Sequence, residues 1–133
     1  MNIFVRWSKF SLVGALGMVV QLAALALLSR WITRSIALAT AVAIELTLLH
    51  NFVWHCKFTW PDRQAGSSIA GQLLRFHLSN GLVSMLGNLA LMELLVRGAR
   101  LPLLVANAIA IACCSVANFG LGNRWAFRSS LQE

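Results

Sequence analysis

Two cations stand at matched places in this sequence. Lys57 lies six residues after Asn51 and is followed by Phe58 and Trp60; Arg124 lies six residues after Asn118 and is followed by Trp125 and Phe127. Each copy reads Asn-Phe, four residues, a cation, an aromatic, one residue, an aromatic. A cation beside aromatic rings at the end of an apolar run has two chemical uses. It can grip an anionic group, Arg through two parallel hydrogen bonds and Lys as a point charge. It can also snorkel, anchoring a helix end beside an aromatic belt. Both readings stand, and duplication of the whole motif brings the first level with the second.

The remaining polar residues interrupt apolar runs. Glu45 falls near the middle of one; an ionisable group at the bilayer centre costs roughly 2.5–3.5 kcal/mol on insertion scales and marks a pathway by default. It reads either as a protonatable gate or as a neutral carboxyl satisfied by a neighbouring helix, Gln21 or Asn88 being candidate partners. Asn51 and Asn118 sit about one turn inside the apolar segments. They could line a headgroup path, but a hydrogen bond holding helices together, worth about 0.6–2 kcal/mol, is the favoured role. His77, Asn80, Ser84, Gly87 and Asn88 recur at steps of three or four and form one helical stripe, either a wet groove or a polar seam. His50 and His55 lack the spacing and companions of a metal site.

The elements that must carry these residues are apolar and helical. Of 133 residues, 59% are hydrophobic and 11% charged, against about a quarter charged in soluble domains. Uncharged or nearly uncharged runs cover 10–28, 36–53, 78–96 and 101–121. At 1.5 Å per residue each spans a bilayer, and lipid demands that each be a helix. The first run is long for a cleaved signal peptide, and more spans follow it, so retention is expected. Gly14, Gly17 and Gln21 share one side of it, a face suited to close helix contact. Short turns at 29–35 and 97–100 carry Arg30, Arg34, Arg97 and Arg100. The longest polar connection, 54–70, contains Pro61, Asp62, Arg63 and Gly66-Ser67-Ser68.

The chain is duplicated. Residues 39–44 align with 106–111, and Lys9-Phe10 is echoed by Arg75-Phe76 with a one-residue change in offset. The expected architecture is a single all-α membrane domain over 1–133: repeat one at 1–60, a cytoplasmic linker at 61–71, repeat two at 72–128. Two spans per repeat insert both copies the same way up, related by an axis along the membrane normal. Arg6, Lys9, Lys57, Arg63, Arg75, Arg124 and Arg128 then share one side and the four turn arginines the other, which places both termini in the cytoplasm.

The net charge of +7 is spread as flanks to apolar runs, the pattern of anionic lipid contact and not of nucleic-acid binding. Cys56, Cys113 and Cys114 form no CxxC pair and read as small buried hydrophobes, with neither disulfide nor metal. No Walker loop, Ser/His/Asp set or carboxylate pair is present. No cofactor, metal or enzymatic activity is expected.

The ordered set Lys9-Phe10-Ser11-Leu12-Val13-Gly14, Asn51-Phe52, Lys57-Phe58-Thr59-Trp60, Arg75-Phe76, Asn118-Phe119 and Asn123-Arg124-Trp125-Ala126-Phe127 resembles the GtrA-like family over nearly the whole chain. The first copy has Cys56-Lys57 where the family motif has Asn-Arg. The resemblance implies a four-helix protein of the bacterial inner membrane that flips a polyprenyl-phosphate-linked sugar for surface polysaccharide. On that reading Lys57, Arg124 and Arg75 hold the substrate phosphate, and Phe58, Trp60, Trp125 and Phe127 form the aromatic interface. Glu45, Asn51, Asn118, Asn80, Ser84, Asn88 and Gln21 supply the intramembrane path or gate. Four helices make a thin wall, so a homo-oligomer or a membrane glycosyltransferase partner is expected to complete the path. A non-transporting anchor for such a transferase and a small proton-coupled exporter are the rival functions.

Overall fold

The computed structural model describes residues 1–32, 35–64 and 68–128. Arg34, and Gly66 and Ser67 of the long connection, lie outside the described residues. The described residues are helices and connections, with no strand among them. They fall into two compact units, Met1–Asp62 and Arg63–Glu133.

Unit 1 is an antiparallel helix pair. Helix α1, Ile3–Trp31, starts seven residues before the expected span because Asn2 caps it, its side-chain oxygen accepting from the Phe4 N–H at 3.0 Å. The basic and aromatic lead is therefore the first two turns of the helix. Helix α2, Ile36–Trp54, is capped by the Ser35 hydroxyl. Its backbone then widens into a π-helical turn, His55–Thr59, closed by the Trp60 N–H on the His55 carbonyl at 2.8 Å.

Unit 2 pairs a longer helical stretch with a second apolar helix. Helix α3, Ile69–Phe76, is capped by Ser68 and passes without a break through a π-helical stretch, His77–Val83, into α4, Ser84–Glu93, and a further π turn, Leu94–Gly98. Residues 71–77, which precede the apolar run at 78–96, are thus continuous with it as helix. The stretch ends where Ala99 and Leu101 donate back to Leu94 and Leu95, with Arg100 left-handed at φ 54°, a conformation that normally selects glycine. Pro102 then opens α5, Leu103–Leu121, which ends in the π turn Gly122–Ala126, closed by the Phe127 N–H on the Gly122 carbonyl at 3.0 Å.

Ile3–Leu28, Ile69–Gly98 and Val105–Ala126 are each long and apolar enough to cross a membrane. Helix α2, of 19 residues, is one more apolar helix beside these three. Large apolar side chains such as Leu22, Leu46, Leu89 and Val116 face outward, the reverse of a soluble bundle and the arrangement lipid requires. Small residues fill the helix contacts instead: Ala39 and Ala43 in unit 1 and Ala106 and Ala110 in unit 2 are buried, which lets backbones approach.

Candidate functional site

The polar end of unit 1 is built around Trp60. The extra residue of the π turn rotates Thr59 and Trp60 inward, where both are buried. Phe10 of α1 stacks on the His55 ring, with centroids 4.9 Å apart and planes 10° from parallel, and Trp60 meets both edge-on at 6.0 and 5.2 Å. His55 Nδ1 and Thr59 Oγ1 are hydrogen-bonded at 2.9 Å. Burial, and secondarily the charge of His50, lower the His55 imidazole to about 3. This histidine is a neutral packing group.

One turn earlier, Lys9 donates to the Phe58 carbonyl at 3.2 Å and lies 4.6 Å from the centroid of the Phe58 ring. It neutralises the carbonyl-rich end of the α2 helical stretch, where a cation is favoured. Between these fixed points Lys57 is exposed. Burial raises its neighbour, the Cys56 thiol, to about 11.

The polar end of unit 2 has the same parts. Phe127 is buried against Phe76, with ring centroids 5.8 Å apart. Arg75 Nε donates to the Ala126 carbonyl at 3.5 Å, and Arg63 reaches the Asn123 carbonyl. Gly122 and Ala126 are buried, while Arg124 and Trp125 face outward. In each unit, therefore, the first and fifth residues of the π turn and the aromatic that closes it point inward, and the third residue, a cation, is presented outward.

This geometry sorts the expected aromatic interface by register. Trp125 is exposed and Phe58 half-buried, whereas Trp60 and Phe127 are interior, turned there by the π geometry. Arg75, a candidate phosphate ligand, is half-buried and spends a donor on its own unit's backbone.

The candidate path residues also separate. Asn51 lies directly against Gly17: a Cβ there would stand 2.6 Å from Asn51 Nδ2 and 2.8 Å from its Cγ. His50 Nδ1 holds Asn51 Oδ1 at 3.1 Å. Gly14 has open space where a Cβ would stand, so the small-residue face narrows to Gly17, with Gln21 half-buried. In unit 2 Asn118 donates to the Ser84 hydroxyl, and Cys114 Sγ approaches the Ser84 carbonyl at 3.9 Å. Asn80 Nδ2, Asn88 Oδ1 and Asn118 Oδ1 are buried with no hydrogen-bond partner. These are open valences suited to a hydroxyl or water. Glu45 lies on the exposed side of α2.

His77 Nδ1 meets the Leu73 carbonyl at 3.0 Å; a carbonyl only accepts, so Nδ1 carries the proton. Cys113 is exposed and Cys56 and Cys114 are half-buried, and none of the three forms a disulfide. Among the described residues no three His, Cys, Asp or Glu side chains gather as a metal site.

Sequence reasoning did not single out Arg6 and Asp62, which pair at 2.8 Å. Antiparallel register was the available signal: if Lys9 stands opposite Phe58, Arg6 one turn earlier stands opposite 61–62.

Apolar helices of spanning length, lipid-facing side chains and basic, aromatic helix ends define a multi-pass membrane protein. The family described as GtrA/DPMS, transmembrane domain, matches residues 9–130, and the chain belongs to it. No curated protein matches the chain.

Proposed function

We propose that this protein carries a polyprenyl-phosphate-linked sugar across the bacterial inner membrane, with both termini cytoplasmic and the two units arising as a parallel repeat. The observation that carries the reading is the pair of π turns, each presenting an exposed cation, Lys57 or Arg124, from a buried aromatic base. A phosphate needs charge-assisted donors that keep their place, and a cation on a packed turn keeps its place better than one on a frayed end. π turns interrupt helices frequently where function needs an altered register. Matching burial of Ala39 and Ala106, Ala43 and Ala110, Phe52 and Phe119, and Trp60 and Phe127 supports the repeat.

On this reading the polyprenyl tail stays in lipid while the sugar crosses along polar side chains. Asn80, Ser84 and Asn88 climb one face of the long helix of unit 2 at four-residue steps, about 12 Å of rise. The unpartnered amide atoms of Asn80, Asn88 and Asn118 are the groups that would exchange hydrogen bonds with sugar hydroxyls. A homo-oligomer or a glycosyltransferase partner would complete the wall. Glu45, outward-facing at mid-helix, is placed to meet such a neighbour.

One observation favours the second reading, a non-transporting anchor for a glycosyltransferase. Asn51 against Gly17, and Asn118 bonded to Ser84, hold helices together within their units. Reconstitution of the protein alone in proteoliposomes separates the two. Movement of a labelled polyprenyl-phosphate sugar above the rate in empty vesicles is expected for the translocator. None, from folded protein, would leave the anchor.

A further inference from the structure

We propose that Arg6 is a second oxyanion seat in unit 1, beside Lys57, and that Asp62 occupies it until the phosphate of a lipid headgroup arrives. The proposal rests on the lipid-phosphate reading above and adds to it the residue that takes the phosphate and the residue that yields it.

The Arg6 guanidinium is 4% exposed. A guanidinium has five donors in a rigid fork. Asp62 Oδ2 takes one prong, Nη2, at 2.8 Å, while Nη1 is buried with no partner. A buried donor of a charged group left unmatched carries its desolvation cost uncompensated, so the fork is held half-used. The geometry it is built to satisfy is two parallel bonds to one oxyanion.

The surroundings favour an anion there independently. Arg6 stands in the opening turns of α1, the positive end of a 29-residue helix whose first turn has no acidic residue. The helix dipole disfavours a cation at that end and favours an anion. Asp62 is half exposed, at 49%, in the short 3₁₀ turn Pro61–Arg63. Its carboxylate therefore meets water already, two residues after the buried Trp60. Lys9, three residues along α1, reaches the Phe58 carbonyl, next to Lys57, so the two cations share one end of the unit. The equivalent place in unit 2, three residues before Arg75, holds Gln72, which is neutral and donates to the Arg63 carbonyl at 3.5 Å.

Binding to the full-length protein in neutral-detergent micelles tests the seat, with tryptophan fluorescence as the readout; Trp7 and Trp60 both pack near Phe10. The probes are dodecyl phosphate and inorganic phosphate. Asp62→Asn removes the competing carboxylate and is expected to tighten dodecyl phosphate about tenfold, one charge-assisted hydrogen bond's worth. Arg6→Lys keeps the charge, loses the fork, and is expected to weaken it by a similar factor. Equal tightening toward inorganic phosphate would keep the seat and make its ligand a free oxyanion. Wild-type affinity in both variants, with binding lost in Lys57→Gln/Arg124→Gln, would overturn the seat and leave the proposed function standing. Failure of every form to bind either probe would overturn both.

Discussion

Gly17 and Gly14 lie one turn apart on α1, and the same substitution should act on them in opposite directions. An added Cβ meets nothing within 4 Å at position 14, whereas at position 17 it would overlap the amide of Asn51. Alanine in place of an interior helical glycine favours the helix by up to about 1 kcal/mol, so Gly14→Ala should be neutral or stabilising. Gly17→Ala gains the same term but must expel the Asn51 amide, breaking its contact with His50 and spreading α1 from α2. Overpacking of this kind costs about 1–3 kcal/mol. The two variants should therefore differ by about 2 kcal/mol. Unfolding in mixed micelles by titration with SDS, followed by tryptophan fluorescence, measures the difference. Asn51→Ala should rescue Gly17→Ala, because it removes the obstructing atoms, and the double-mutant cycle isolates that coupling. Equal stability of Gly14→Ala and Gly17→Ala would refute the proposed packing of Asn51 on Gly17.

Other perturbations follow from the same contacts. Lys9→Gln loses a charge-assisted bond and a cation–π contact and should cost about 1–2 kcal/mol in the same titration. Asn118→Ala and Ser84→Ala should couple by about 0.6–1.7 kcal/mol in a double-mutant cycle. Because the fold holds His55 neutral down to about pH 3, the unfolded chain binds the extra proton below its ordinary pKa near 6.5. Stability should be whole above that pH, fall as pH drops, and level off near 3. The loss at pH 5 is about 2 kcal/mol, and His55→Gln should flatten the curve.

Helical class and the matched cations could be read from the chain because they depend on local composition and spacing. Charge-free runs between basic ends are what a bilayer selects, and Asn51-Phe52 through Trp60 stands out once its second copy is seen. The π turns could not be read. One extra residue in a turn leaves hydropathy unchanged, yet it decides that Trp60 and Phe127 face inward while Lys57 and Arg124 face outward. The start of α1 was misplaced because Arg6, Trp7 and Lys9 look like a polar flank; the Asn2 cap and the packing of Phe10 on His55 draw them into the helix. Arg6–Asp62 depends on which residues stand opposite each other in the hairpin, information that lies in pairing and not in periodicity. The face of α2 that carries Glu45 was equally out of reach, since Glu45 is the one charged residue of the helix and its few other polar residues mark no single side.

The proposal that Lys57 and Arg124 each seat a headgroup phosphate is tested most directly by initial rates of labelled polyprenyl-phosphate-sugar translocation in proteoliposomes. The forms to compare are wild type, Lys57→Gln, Arg124→Gln, the double variant, and Arg97→Gln, whose cation is exposed and paired with Glu93 at 2.8 Å. The expected result is a reduced rate in each single variant at 57 and 124, the rate of empty vesicles in the double variant, and the wild-type rate in Arg97→Gln. Wild-type translocation by a folded Lys57→Gln/Arg124→Gln protein would contradict the claim.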